Sequence, residues 1–142
     1  MIALSNALKG YTSSSSEPTI DKALAKITNA ISSLVLVMKT KPDKSLIESQ
    51  SSAVEGPLGD ELFLSQFIRL VVAARAKKSA FPVTFRRRLH GVGFPDLRKA
   101  LVGLRTEVLR LVTARYAGYL KDDFAAMISQ VDKAITALVD TA

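Results

Sequence analysis

Apolar residues mark four helical stretches of the chain, and in three of them spacings of three and four lay one stripe along a helix. The first stripe is Ile20, Leu24, Ile27, Ile31, Leu34, Val35 and Met38. It predicts a helix opening near Pro18 and Thr19, where proline suits the first turn and Ser16 or Thr19 can cap. Thr40-Lys41-Pro42-Asp43 closes it, and Lys22, Lys26 and Asn29 fall off the stripe. A second helix is expected from an Asp60 cap to about Lys78. Its apolar residues Leu62, Phe63, Leu64, Phe67, Ile68, Leu70, Val71, Val72 and Ala74 cover most of the circumference, which predicts a largely buried helix. Pro95 opens the third, with Asp96 at its positive end and an inward stripe of Leu97, Leu101, Leu104, Val108 and Leu111. Gly118 is expected to separate it from a fourth helix carrying Leu120, Phe124, Met127, Ile128, Val131, Ile135 and Leu138.

The segments between the stripes read differently. Residues 1–10 are weakly amphipathic through Ile2, Leu4 and Leu8, and 12–16 form a polar tract, so 1–18 is expected to be a flexible arm. Residues 44–59 make a polar connector with room for one helical turn around 45–50, punctuated by Gly56-Pro57-Leu58-Gly59. Phe81 to Leu89 suits a short helix with Phe85 and Leu89 inward and Arg86, Arg87 and Arg88 outward, broken at Gly91 and Gly93. The chain has no run of strand-like alternation and no internal repeat. The expected fold is all-α: an antiparallel, up-down four-helix bundle over residues 19–142, preceded by the arm.

Composition narrows the function. The chain of 142 residues is long enough to bury a core without staples. With no cysteine and one histidine, a disulfide scaffold, a thiol nucleophile and the usual zinc sites drop out. No apolar run approaches the roughly 20 residues that span a bilayer, and the N-terminal MIALSNALKG is too short and polar for a secretory signal. A targeting segment is therefore expected, if one exists, outside this sequence. The net charge is +7 and lies wholly in the second half. From Arg69 to Arg115 the chain carries twelve basic residues against Asp96 and Glu107. Such a segment projects a positive field toward an acidic protein face, an anionic membrane surface or a phosphate backbone. An aromatic share of 6% without tryptophan disfavours the stacking platforms that hold single-stranded nucleic acid.

No catalytic constellation is visible. Asp122 and Asp123 are adjacent and point apart on a helix, HGVG lacks the Lys-Ser/Thr of a phosphate loop, and no serine has a visible His–Asp set. Neither a metal nor a cofactor is expected. The candidate partner-binding residues are Arg86, Arg87, Arg88, His90, Arg98, Lys99 and Arg105, because guanidinium groups suit a two-pronged grip on carboxylates and phosphates.

The stretch Phe81…Phe85-Arg86-Arg87-Arg88-Leu89-His90-Gly91, followed by Pro95-Asp96-Leu97-Arg98-Lys99-Ala100-Leu101, resembles the PsbQ family of extrinsic photosystem II proteins. Phe81 stands where that family has tryptophan. Lys121-Asp122-Asp123-Phe124 and Val131-Asp132-Lys133-Ala134 match a pattern in the family's next helix, so the likeness covers about residues 62–138. The resemblance implies a non-enzymatic subunit in the chloroplast thylakoid lumen, peripheral to the membrane. It would dock by its basic face on acidic surfaces of the photosystem II core and neighbouring extrinsic subunits, and help retain calcium and chloride without binding manganese. The alternatives are a basic helical nucleic-acid-binding protein of the viral coat or silencing-suppressor type, or an interaction subunit of another thylakoid complex.

Overall fold

The computed structural model describes residues 2–11, 17–46, 50 and 61–139, with side chains for all of these except 2–5, 61–67, 71 and 139. In chain order the elements are α1 (Ile2–Lys9), α2 (Glu17–Met38), α3 (Glu61–Lys77), α4 (Val83–Arg88), a π-helical turn (Leu89–Gly93), α5 (Phe94–Leu111) and α6 (Ala114–Val139). The described residues contain no strand. α2 packs on α5, α5 on α6, α6 on α3, and α1 on both α3 and α2. All but Ala74 and Leu111 of the buried apolar residues described from Leu8 to Leu138 form one cluster.

The expected stripes of α5 and α6 point into this cluster. Leu97, Leu101, Leu104, Val108 and Leu111 are buried on α5, and Leu120, Phe124, Met127, Ile128, Val131 and Leu138 on α6. α2 buries Ile20, Leu24, Ile31 and Val35, but Leu34 is exposed rather than inward. On α3, Leu62, Phe63, Leu64, Phe67 and Val71 lie outside the described side chains. Leu70, Ala73 and Ala74 are buried, whereas Ile68 and Val72 face solvent. The Asp60 cap and the Gly56–Gly59 punctuation lie outside the described residues.

The polar tract 12–16 lies outside the described residues, and where the N-terminal segment is described, at residues 2–11, it is not a loose arm. Its first residues form α1, and Leu8 and Tyr11 are buried in the same core as the long helices. Tyr11 stands edge-on to Phe81 at 4.8 Å between centroids and stacks on Phe85 at 5.9 Å. Burying an aromatic ring of this size outweighs the modest helix preference of so short a segment.

Gly118 does not break a helix; α6 runs through it, and the interruption falls earlier, where Val112 is extended at φ −80° and ψ 160°. The break expected at Gly91 and Gly93 is also absent. Backbone angles stay helical at Arg88, Leu89, Gly93 and Phe94, so the chain passes from α4 to α5 through one wide turn. Gly93 serves close approach instead: a Cβ there would sit 2.6 Å from Leu24 Cδ2.

α2 and α5 lie side by side in the same direction. Leu24 meets Gly93 at one end, Val35 meets Gly103 farther along, and Met38 meets Arg110 at the other. α6 returns along α5, with Arg98 Nε donating to Asp132 Oδ1 at 2.6 Å.

Candidate docking surface

α4 has six residues, VTFRRR, and too few internal hydrogen bonds to stand alone. It is fixed by what it buries. Phe81, Phe85 and Leu89 recur every four residues, and all three are buried. Phe81 and Phe85 meet edge to face at 5.2 Å. With that face committed to the core, the intervening Arg86, Arg87 and Arg88 are carried toward the surface.

The three arginines meet different fates. Arg88 Nη2 donates to Asp21 Oδ2 at 2.8 Å and to Glu17 Oε1 at 3.3 Å, and its guanidinium lies 5.0 Å from the centre of the Phe85 ring. The hydrogen bond to Asp21, followed by the field of both carboxylates, holds this guanidinium above its ordinary range. Arg88 is thus a clamp between α4 and the start of α2. Arg87 is exposed and has no acidic partner among the described residues. Arg86 is half-buried, also without one, and its Nε is enclosed with no hydrogen-bond acceptor.

The other candidates divide in the same way. His90, half-buried in the π-helical turn, places Nδ1 3.1 Å from the carbonyl oxygen of Ile135 on α6. Arg98 is taken up by Asp132. Lys99 is exposed and Arg105 half-exposed, neither with an acidic partner among the described residues. Arg98 and Lys99 are adjacent, about 100° apart around α5, so Arg98 reaches α6 whereas Lys99 borders the groove between α5 and α2. The seven candidates therefore do not share one face. Arg88, His90 and Arg98 hold the fold together, and Arg86, Arg87, Lys99 and Arg105 keep charge available for a partner.

Sequence reasoning passed over Arg110, which does more than any of the seven inside the molecule. Nη2 donates to the Met38 carbonyl at 2.8 Å, Nη1 to the Lys41 carbonyl at 2.6 Å and to Asp43 Oδ1 at 2.8 Å, and Nε to Glu107 Oε2 at 2.8 Å. Hydrogen bonds first to Asp43 and then to Glu107 hold its guanidinium above the ordinary range. The i,i+3 spacing of Glu107 and Arg110 was the one local signal of this role.

Two adjoining hollows of about 350 and 440 Å³ run along the groove between α2 and α5 and share Thr28 and Asp96. Their walls mix apolar and charged side chains, with Arg88 and Asp21 toward one end and Lys39 and Lys99 toward the other. Among the described residues, no three histidine or carboxylate side chains converge as a metal site. The chemistry on offer is the attraction of anions by guanidinium and ammonium groups.

Comparison with protein-family models, curated proteins and solved structures found no match for this chain.

Proposed function

We propose that the protein is a non-catalytic docking subunit that binds an acidic partner surface through Arg86 and Arg87, supported by Lys99 and Arg105. One observation carries this reading: Arg86 and Arg87 sit on a helix anchored by Phe81 and Phe85, yet have no acidic partner among the described residues, while the next residue, Arg88, is neutralised by two carboxylates. Held cations can meet a partner's carboxylates without first breaking internal ion pairs, and binding of this kind weakens as salt rises.

The likeness of residues 81–101 to the PsbQ family gives the partner a candidate identity, the lumenal face of photosystem II. In that setting the subunit is peripheral to the thylakoid membrane and helps retain calcium and chloride at the oxygen-evolving centre. It holds no metal or cofactor of its own. The same reading takes α5 and α6 as the antiparallel pair of an up-down bundle, supported by α6 returning along α5, while α2 packs on α5 in the same direction rather than antiparallel to it.

The test is binding of the purified protein to salt-washed photosystem II membranes and, in parallel, to an RNA duplex. Saturable, salt-sensitive membrane binding that restores oxygen evolution supports the proposal. RNA binding without rebinding to the membranes overturns it in favour of a nucleic-acid-binding protein.

A further inference from the structure

A second cationic surface lies at the opposite end of α2 from Arg88. Over its last turns α2 turns apolar on nearly all sides. Ile31 and Val35 enter the core, whereas Leu34, Leu36 and Val37 remain 49%, 65% and 58% exposed. The chain that follows presents Lys39, Lys41 and Lys44, all exposed and without an acidic partner among the described residues. Asp43 is the one carboxylate between Leu34 and Leu46, and it is bound to Arg110 at 2.8 Å. The three lysines thus follow directly on three exposed aliphatic side chains, and the nearest carboxylate across the groove is Asp96, which borders the same hollow as Leu36 and Lys39.

This juxtaposition is fixed. Arg110 binds the carbonyls of Met38 and Lys41. The Lys44 and Leu46 amides donate to the carbonyls of Arg110 and Leu111 at 2.9 and 3.1 Å. Lys44 is held in the left-handed region at φ 51°, which a lysine adopts at some cost in strain.

Exposed aliphatic side chains followed by uncompensated lysines suit a surface that is both anionic and apolar beneath its charge. A nucleic-acid backbone uses the cations but gives Leu34, Leu36 and Val37 nothing to enter. A neutral apolar partner uses the aliphatics and leaves the lysines to be desolvated at a cost. An anionic lipid surface takes both, ammonium groups on headgroup phosphates and short aliphatic chains at the acyl boundary. We propose that the C-terminal end of α2 and the turn behind it seat on an anionic lipid surface, Leu36 and Val37 entering the interface and Lys39, Lys41 and Lys44 binding the headgroups. The contact is superficial, since no helix among the described residues is long and apolar enough to cross a membrane. It is carried by residues other than Arg86 and Arg87 and stands independently of the docking proposed for them.

Co-sedimentation of the full chain with vesicles tests this. Vesicles of phosphatidylcholine alone are compared with vesicles rich in phosphatidylglycerol, using the wild type, L36S/V37S, K39E/K41E/K44E and R86Q/R87Q. The wild type is expected to bind the anionic vesicles at least about tenfold more tightly than the neutral ones, with L36S/V37S weakening binding by about tenfold and the lysine variant by about a hundredfold. R86Q/R87Q is expected to weaken anionic binding far less than the lysine variant does. The substituted α2 and turn positions are exposed, and matching far-ultraviolet spectra and melting curves confirm that the variants fold. Equal binding to both vesicle types, no binding to either, or anionic binding unmoved by the aliphatic and lysine changes overturns the proposal. So does binding of an RNA duplex through the lysines with the aliphatic change silent.

Discussion

Arg110 on α5 closes the end of α2 by donating from Nη2 to the carbonyl oxygen of Met38 at 2.8 Å. The last carbonyls of a helix lack partners within it, and a guanidinium that reaches them from a neighbouring helix both satisfies them and answers the negative end of the helix dipole. Because Nη1 continues to the Lys41 carbonyl, the cap also ties down the turn beyond the helix. Arg110→Ala removes the side-chain donor to the Lys41 carbonyl and to the buried Glu107, whereas the Met38 carbonyl keeps the Lys41 amide. Its denaturation midpoint is expected to fall several times further than that of Asp43→Asn, whose side chain is largely exposed. Arg110→Lys should recover only part of the loss, since an ammonium cannot fork to four acceptors. Equal midpoints for the alanine and asparagine variants would place the stabilisation elsewhere.

The two glycines of the π-helical turn are expected to respond in opposite directions. A Cβ at Gly91 meets nothing within 4 Å, and no described glycine has a positive φ. Gly91→Ala should therefore stabilise by ~0.4–1 kcal/mol, mainly by restricting the unfolded chain. Gly93→Ala pushes a methyl against the buried Leu24 and should cost ~1–3 kcal/mol. Urea titration of the two variants beside the wild type reads both signs at once.

Tyr11 ties stability to alkaline pH. Burial, reinforced by the negative charge of Glu17, raises its phenol above the ordinary value of 10.0. Above that value the unfolded chain loses the proton while the folded chain keeps it, so the stabilisation is fully present below pH 10.0 and drains away as pH rises. Tyr11→Phe keeps the ring against Phe81 and Phe85 and removes the ionisation. Between about pH 9 and pH 11 the variant should lose less stability than the wild type, as measured by denaturant midpoints across that range. Parallel losses would remove Tyr11 from the alkaline transition.

The long helices were legible because a stripe of leucine and isoleucine on a 3.6-residue period has few ways to be buried. On α5 all five expected inward residues are buried. Glycine misled where its freedom was not being used. Gly118 lies exposed within α6, and Gly91 and Gly93 adopt ordinary helical signs of φ, so spacing and composition gave no reason to prefer a helical path over a break. The role of α1 depends on Tyr11 meeting Phe81 and Phe85, about seventy residues away, and no local pattern announces such a contact. The basic segment could be read from composition but not subdivided. Whether an arginine is free or occupied depends on carboxylates at Glu17, Asp21 and Asp132, which tertiary structure alone brings near.

That division gives the central claim its most direct measurement: the affinity of R86Q/R87Q for salt-washed photosystem II membranes, set against the wild type and R88Q. Arg88 is already neutralised by Glu17 and Asp21, whereas Arg86 and Arg87 have no acidic partner among the described residues. The account predicts saturable, salt-sensitive binding of the wild type, a loss of about tenfold or more in R86Q/R87Q, and near wild-type binding by folded R88Q. Wild-type affinity in R86Q/R87Q, or a loss confined to R88Q, would contradict it.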